Sequence, residues 1–439
     1  MAEIRPFRGI RYSQEIVRDL ASVICPPYDV VGEEQRSGYE ARSVYNAIRL
    51  ECPAPMVATE AGQHSRDRYR RAASTFRQWL REGILGIEPR AAFYLHDHYF
   101  THLGKRRRRR GLIACVRLQP WYDGIYPHEE TLCKAKSERL ELMRACRANF
   151  SPLLALYQDV EGKIAGILSQ TSRDRPVIEL SESSERDVVW VITEGTLAAQ
   201  ISELMAGQSV YIADGHHRYE TALTYEMERA ASSLAEEEAS QVQGFNYVMM
   251  TLVDFSDPGV LVFPVHRLVY GVEASLLAGL ENRLKDVFVL EYVPLTGSLG
   301  DSVTSGMPDD VVAGILGLRP GCLVVMRSRQ DVSLEDLMPQ SRSQVYRDFN
   351  VSVVDDLVLG GMLGLARDSD SVVYSGDMCE VCERIKDGRQ PLAFLFGAPQ
   401  LKMLKAIAEA RDRVPRKSTY FWPKLPTGLV MNSLEALER

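Results

Sequence analysis

The chain has 439 residues, room for two or three domains. Apolar residues make up 45% of it, enough for a full core, and charged residues 25%, the share of an ordinary globular protein. A net charge of −7 argues against a surface built as a whole to receive nucleic acid. No apolar run approaches the roughly 18 residues of a membrane span. The opening Met1, Ala2, Glu3, Ile4, Arg5 and Pro6 lack the apolar stretch of a secretory signal. Eight scattered cysteines suit a reducing compartment, so a cytoplasmic setting is expected. The lone Cys379-x-x-Cys382 pair has no second pair or histidines after it and reads as an ordinary helix start.

Residues 4–12 alternate apolar and basic side chains and read as a strand. Pro26 and Pro27 then stiffen an extended loop that presents Tyr28 and Asp29. Residues 32–41 read as a short helix. Residues 65–82 read as an amphipathic helix, with Tyr69, Ala73, Phe76, Trp79 and Leu80 on its core side. Two strands, 91–102 and 111–118, flank Lys105 and five consecutive arginines ending at Arg110. No aromatic residue interleaves these cations, so they read as a solvated hairpin end and not as a stacking surface for single strands. Next, His128, Glu129, Glu130 and Thr131 precede a helix that runs to about residue 148. Acidic residues suit a helix start through the macrodipole. The same carboxylates could instead hold Mg²⁺ or activate a hydroxyl.

A strand (188–193), a helix (197–206) and a strand (210–213) follow. Further on come strands at 245–253 and 260–267, the latter ending in His266 and Arg267, then a helix at 275–286 and a strand at 288–293. Residues 295–309 are rich in Gly, Ser, Thr and Pro and read as a linker. Beyond it, 313–327 and 354–365 suggest a C-terminal α/β lobe. Residues 414–428 form a Pro-punctuated loop of lysines, hydroxyls and aromatics that could touch a ligand. Alternating strands and helices make this an α/β chain of mixed α+β character. No Gly-x-x-x-x-Gly-Lys-Ser/Thr loop occurs.

The densest chemistry lies at 209–223. An apolar strand runs into Asp214, Gly215, His216, His217 and Arg218 and then into a helix. Amides at a helix start attract anions, Gly215 lets a ligand near the backbone, and Arg218 can fork onto phosphate or carboxylate. The two imidazoles can donate hydrogen bonds or carry protons near neutral pH. Asp214 could hold a metal, act as a base or cap the helix. The plainer alternative is an Asp-Gly turn with a buried histidine.

Several ordered blocks resemble one known family, the bacterial and archaeal domain of unknown function 1015. They are the 5–8 block ending in Arg8, the Pro26–Val31 loop, His128 to Thr131, 212–218, His266-Arg267, and Lys417, Ser418, Thr419, Tyr420 and Phe421 with Pro423 and Lys424. The 214–218 block is also similar to the signature of the ParB/sulfiredoxin-like superfamily. That group includes a free serine kinase, CTP-dependent chromosome-partitioning switches and sulfiredoxin. The resemblance implies a ParB/sulfiredoxin-like core with large insertions, in residues 1–295, followed by a C-terminal α/β lobe in 310–439. It implies phosphate on Gly215, His216, His217 and Arg218, with Asp214 beside the reacting group. In that superfamily's kinases a catalytic acid precedes the motif in a much shorter chain. Its position does not transfer by spacing; Glu130 and Asp29 are candidates by chemistry.

The expected function is a nucleotide-dependent phosphotransferase acting on the hydroxyl of a small metabolite, possible partners being ATP or ADP with Mg²⁺. In this reading Asp214, His216 and Glu130 are catalytic, and Asp214 with Glu129 holds the metal. Gly215, His217, Arg218, Arg8, Tyr28, Asp29, Thr131, Lys417, Ser418 and Thr419 line the cofactor, and Lys424 closes over it. One alternative is a nucleotide-binding switch without turnover. Another is a different phosphate-site enzyme, a hydrolase or a sulfiredoxin-like protein, with Cys25 as the residue to watch.

Overall fold

The chain's apolar runs pair with one another in two separate sheets. In the computed structural model the described residues are 1–54, 63–131, 133–193, 195–233, 244–295, 311–367, 369–388 and 392–435. They fall into two compact units. The first comprises Met1–Pro127, Thr131–Leu261 and Pro423–Arg439; the second comprises His128–Glu130 and Val262–Trp422. The chain is of the mixed α/β class. No described helix is long and apolar enough to cross a membrane.

The first unit is built on a mixed sheet. Its strands are β1 (Ile4–Arg5), β2 (Phe93–His102), β3 (Lys105–Arg117), β4 (Ile125–Tyr126), β5 (Leu153–Tyr157), β6 (Ile178–Glu182), β7 (Glu185–Ile192), β8 (Val210–Asp214) and β9 (Tyr247–Asp254). The spatial order is β4-β8-β5-β9-β3-β2-β7-β6, with β1 alongside β3. β8 runs parallel to β4, and β9 parallel to β5; the other pairs are antiparallel. Alternation decides the faces. Leu95, Leu112, Ala114 and Val116 enter one core cluster, with Tyr219, Ala222 and Tyr225. The intervening Tyr94, Ile113 and Cys115 enter another, with Phe7 and Met249. The predicted amphipathic helix is present as α1 (Gln63–Arg81). Its Tyr69, Ala73, Phe76 and Trp79 are buried together with Tyr12 and Phe150. α1 packs on α2 (Cys133–Cys146), and α2 packs on α3 (His216–Ser233).

The arginine run is the first half of β3. Its start is a solvated hairpin end, as expected, with Lys105, Arg106 and Arg108 exposed, but its last two cations depart from that expectation. The turn lies earlier, at Leu103 and Gly104, which have φ of 50° and 71°. Register then places Arg109 opposite His98 and Arg110 opposite Asp97. Arg109 and Arg110 are buried. The cause is local charge pairing: acidic and imidazole side chains on β2 and β7 receive cations that composition alone assigns to water.

The second unit carries an antiparallel sheet of β10 (His266–Val269), β11 (Phe288–Pro294), β12 (Val311–Leu316), β13 (Cys322–Ser328), β14 (Val372–Ser375) and β15 (Leu392–Leu395). The order is β11-β13-β12-β15-β10-β14. Leu268, Leu316, Leu323, Ala393 and Leu395 form its core with Val381. The helix expected at 275–286 is α4 (Ala274–Val287), and the apolar stretch near 354–365 contains a wide helical segment, Val354–Met362. Cys379 and Cys382 lie on the ordinary helix Met378–Lys386, capped by Asp377. Of the expected linker, residues 296–309 lie outside the described residues.

Candidate functional site

β8 ends at Asp214, where its pairing with β5 shifts register between Ile212 and Asp214. The break turns the chain out of the sheet and into α3. Gly215 makes the corner at φ +99°, a region that side chains with a Cβ rarely adopt. A Cβ there would also sit 3.0 Å from Arg218 Nη2 and 3.0 Å from Leu153 Cγ. The glycine is thus required by both backbone and space. Buried Tyr219, Ala222 and Tyr225 anchor α3 to the sheet, so its first turn is held at the strand end. Amides of a first helical turn lack intrahelical acceptors, and the macrodipole favours negative charge beside them. His216 is buried on that turn and His217 is partly exposed.

Two cations converge on Asp214. Lys424 Nζ lies 2.5 Å from Oδ1, and Arg218 Nη2 lies 3.2 Å from Oδ2. Lys424 also sits 3.7 Å from Asp29. Arg218 is fixed further by donating to Ser151 Oγ at 3.0 Å and to the Pro152 carbonyl at 2.8 Å. Burial would raise the Asp214 carboxyl pKa, but Lys424 and Arg218 override it and hold the group well below the usual carboxylate range. For Arg218 burial works against the charge, and Asp214 and Asp29 more than restore it. Arg218 therefore stays charged at neutral pH.

Behind this group lies a second layer. Arg139 donates to the Glu51 carbonyl at 2.7 Å and stacks 4.0 Å over the Tyr28 ring. Burial pushes the Tyr28 hydroxyl up to about 12. Glu51, Arg139, Ser151, Leu153, Arg218 and Thr221 are among the residues lining a cavity of about 40 Å³. Thr131 donates to Glu220 Oε2 at 2.6 Å, which Lys136 also contacts at 2.9 Å. Arg8 is engaged elsewhere, with its Nε on the Glu88 carbonyl at 2.8 Å.

The second unit gathers the other expected residues. Glu129 accepts from the backbone amides of Lys417 at 3.0 Å and Ser418 at 3.2 Å, and from Thr419 Oγ1 at 3.1 Å. Arg267, fully buried, donates to the Lys417 carbonyl at 2.7 Å and pairs with Asp355 at 3.1 Å. Lys417 takes a positive φ of 54° in that turn, with its side chain exposed. Glu130 pairs with Arg342 at 2.7 Å and Arg367 at 3.0 Å. His128 Nε2 lies 3.0 Å from Thr419 Oγ1.

The structure thus brings Asp214, Gly215, His216, His217, Arg218, Asp29 and Lys424 together in the first unit. Glu129, Glu130, Lys417, Ser418 and Thr419 gather in the second. Sequence reasoning missed Ser151, Glu51 and Arg139, which carry no motif and meet the site only through long-range packing. The donor sets do not fit a resident Mg²⁺. Both Asp214 oxygens face cations, and both Glu129 oxygens accept from N–H or O–H donors. Among the described residues, no group of three His, Cys, Asp or Glu side chains could hold a metal ion. Cys25 is buried, and burial raises its thiol well above the ordinary value, which disfavours the thiolate form.

Solved structures similar to this chain include a free serine kinase in complex with AMP, at 14% identity and a TM-score of 0.33, covering 68% of this chain and 84% of that one. A conserved hypothetical protein from Pyrococcus furiosus has 13% identity and a TM-score of 0.33, with 69% and 90% covered. SbnI with a C-terminal truncation, from Staphylococcus aureus, has 12% identity and a TM-score of 0.35, with 70% and 82% covered. No curated protein matches the chain. A family model described as protein of unknown function (DUF1015) matches residues 4–345, and the chain belongs to that family.

Proposed function

We propose that the first unit is a nucleotide-dependent phosphotransferase that acts on the hydroxyl of a small metabolite. The carrying observation is the Asp214, Arg218 and Lys424 cluster at the Gly215 corner. Phosphoryl transfer asks chiefly for positioning and for charge placed where the transferring oxygens develop it. The first turn of α3 and Arg218 position the phosphates. Lys424 neutralises the transferring group. Asp214, ionised and half-buried, orients the acceptor hydroxyl. The hydroxyl oxygen attacks the terminal phosphorus, the bond to the nucleotide's bridging oxygen breaks, and the hydroxyl proton leaves to an acceptor such as the Asp214 carboxylate. Glu130 pairs with Arg342 and Arg367 in the second unit and is not assigned that proton. The protein works in the cytoplasm in this reading, on ATP or ADP.

A second reading rests on one observation. Asp214 pairs with both Lys424 and Arg218. A bound nucleotide would compete with Asp214 for both cations, and such an exchange suits a switch that turns nothing over.

Phosphorus NMR decides between them. The protein is mixed with Mg²⁺, ATP or ADP and a panel of hydroxylated metabolites headed by L-serine, beside D214N. A new phosphomonoester signal that D214N loses establishes the transferase and names its acceptor. Nucleotide line broadening without product, abolished in D214N, establishes the switch. Neither signal with any nucleotide overturns both.

A further inference from the structure

We propose that Arg109 is a positioning residue for the Asp214 site: its guanidinium clamps the main chain at Pro423 and so fixes where Lys424 places its ammonium. The inference rests on the reading of that site as a phosphate site.

Arg109 is only 2% exposed. Its Nη1 donates to the Pro423 carbonyl at 2.6 Å, and its Nη2 lies 3.4 Å from His98 Nδ1. Neither partner is a carboxylate: one is a carbonyl, the other a ring nitrogen facing a guanidinium that can only donate. Asp187, Asp257, Glu185 and Asp214 act on the guanidinium through space. Burial lowers the Arg109 pKa to about 10, which those four carboxylates only partly oppose. The neighbouring Arg110 is buried in the ordinary way, forked on Asp97 at 2.7 and 2.6 Å. A guanidinium buried without such a fork is costly. What Arg109 secures in return is the position of one carbonyl.

The support beneath it spans three strands. His98 faces Arg109 across the hairpin, and its Nε2 lies 2.8 Å from Glu185 Oε2 on β7. A carboxylate only accepts and a guanidinium only donates, so this geometry suits the tautomer with its proton on Nε2 and its lone pair on Nδ1. The His98 ring stacks on His96 at 6.0 Å and 14°, and His96 is held by Asp187 at 2.7 Å. The row β3, β2, β7 thus fixes Arg109, and Arg109 fixes Pro423. The next residue, Lys424, has a flexible stem that could place its charge widely. With its main chain fixed, the ammonium lands on Asp214 and beside Asp29.

The test reads Lys424 itself, by its rate of acetylation with an amine-reactive ester, followed by peptide mass spectrometry on the full chain. R109M keeps bulk and removes every donor. R109Q keeps a polar group beside His98, but its shorter amide does not reach Pro423; it serves where R109M fails to fold. R107M is the control: Arg107 belongs to the same run and donates to another carbonyl, that of Pro258. In R109M or R109Q, Lys424 acetylation should rise about tenfold, the change that losing about 1.4 kcal/mol of its pairing with Asp214 makes. R107M should leave it unchanged. A folded R109M or R109Q with the wild-type rate overturns the proposal, and so does an equal rise in R107M. ATP titration of the same proteins separates this inference from the functional reading. Exposure of Lys424 in R109M together with weakened ATP binding upholds both. Exposure in R109M with no ATP binding by the wild type upholds the clamp and removes the nucleotide.

Discussion

The Asp214 corner and the Glu129 turn both hold a carboxylate amid donors, and they spend it differently. Asp214 meets two mobile side-chain cations, Lys424 and Arg218. Glu129 meets two backbone amides and a hydroxyl. Backbone amides have nowhere else to go, so the Glu129 contacts are a joint: they hold Lys417 in its positive-φ turn from one side while Arg267 holds the carbonyls from the other. Side-chain cations can change partner when a better anion arrives. The first arrangement is exchangeable and suits a binding site. The second is fixed and suits a scaffold, with the exposed Lys417 side chain as what it displays.

Three substitutions and one titration probe that contrast. Lys424→Met removes one cation from a half-buried carboxylate and should cost the most, about 3 kcal/mol by analogy with broken buried pairs. Urea unfolding would show it, and a loss below about 1 kcal/mol would mean that solvent already screens the pair. Gly215→Ala should cost about 2 kcal/mol, from positive φ and the tight approach of Leu153 and Arg218. It should also weaken anion binding, whereas a neutral result would show that the corner relaxes. Glu129→Gln keeps one acceptor oxygen and should cost about 1 kcal/mol, without altering nucleotide affinity. A large affinity change there would make Glu129 part of the site and break the comparison.

The titration sharpens it. The Asp214 pKa is depressed in the folded protein, so its contribution to stability is present above the unfolded-state value, about 3.9. That contribution is lost as pH falls through the folded pKa. The gap in stability between wild type and D214N should therefore stay level from pH 7 to 5 and shrink only below about pH 4. A gap that closes between pH 7 and 5 would mean that Lys424 and Arg218 do not hold the carboxylate as described.

Much of the corner was legible in the sequence. An apolar strand, an Asp-Gly break and an amphipathic continuation specify strand, turn and helix through purely local rules. The helix of α1 was legible for the same reason: Tyr69, Phe76 and Trp79 repeat at helical spacing. The partners were not. Ser151, in a bend before β5, and Glu51, on the short helix Ile48–Glu51, reach Arg218 and Arg139 through long-range packing that no local pattern encodes. The last two cations of the arginine run misled, because a block of cations usually seeks water. Their true signal was the Leu103-Gly104 turn: folding the hairpin there sets Arg109 against His98 and Arg110 against Asp97. The two clusters of family blocks, around 214–218 and around 417–419, follow one another in the sequence without a mark to show that they serve different units.

The return of the chain to the first unit constrains how the protein can be made. Ile10 exchanges backbone hydrogen bonds with Met431 at 2.8 and 2.9 Å, and Cys25 with Thr427 at 3.3 and 2.7 Å. These contacts, like Lys424 itself, come from a stretch that a ribosome adds only after the whole second unit has been translated. The nascent first unit must therefore wait, with Asp214 lacking its ammonium partner and Ile10 lacking the backbone bonds of Met431, while some 160 further residues emerge and fold. A stalled or prematurely released chain would carry a recognisable Gly215 corner and yet be unable to complete it.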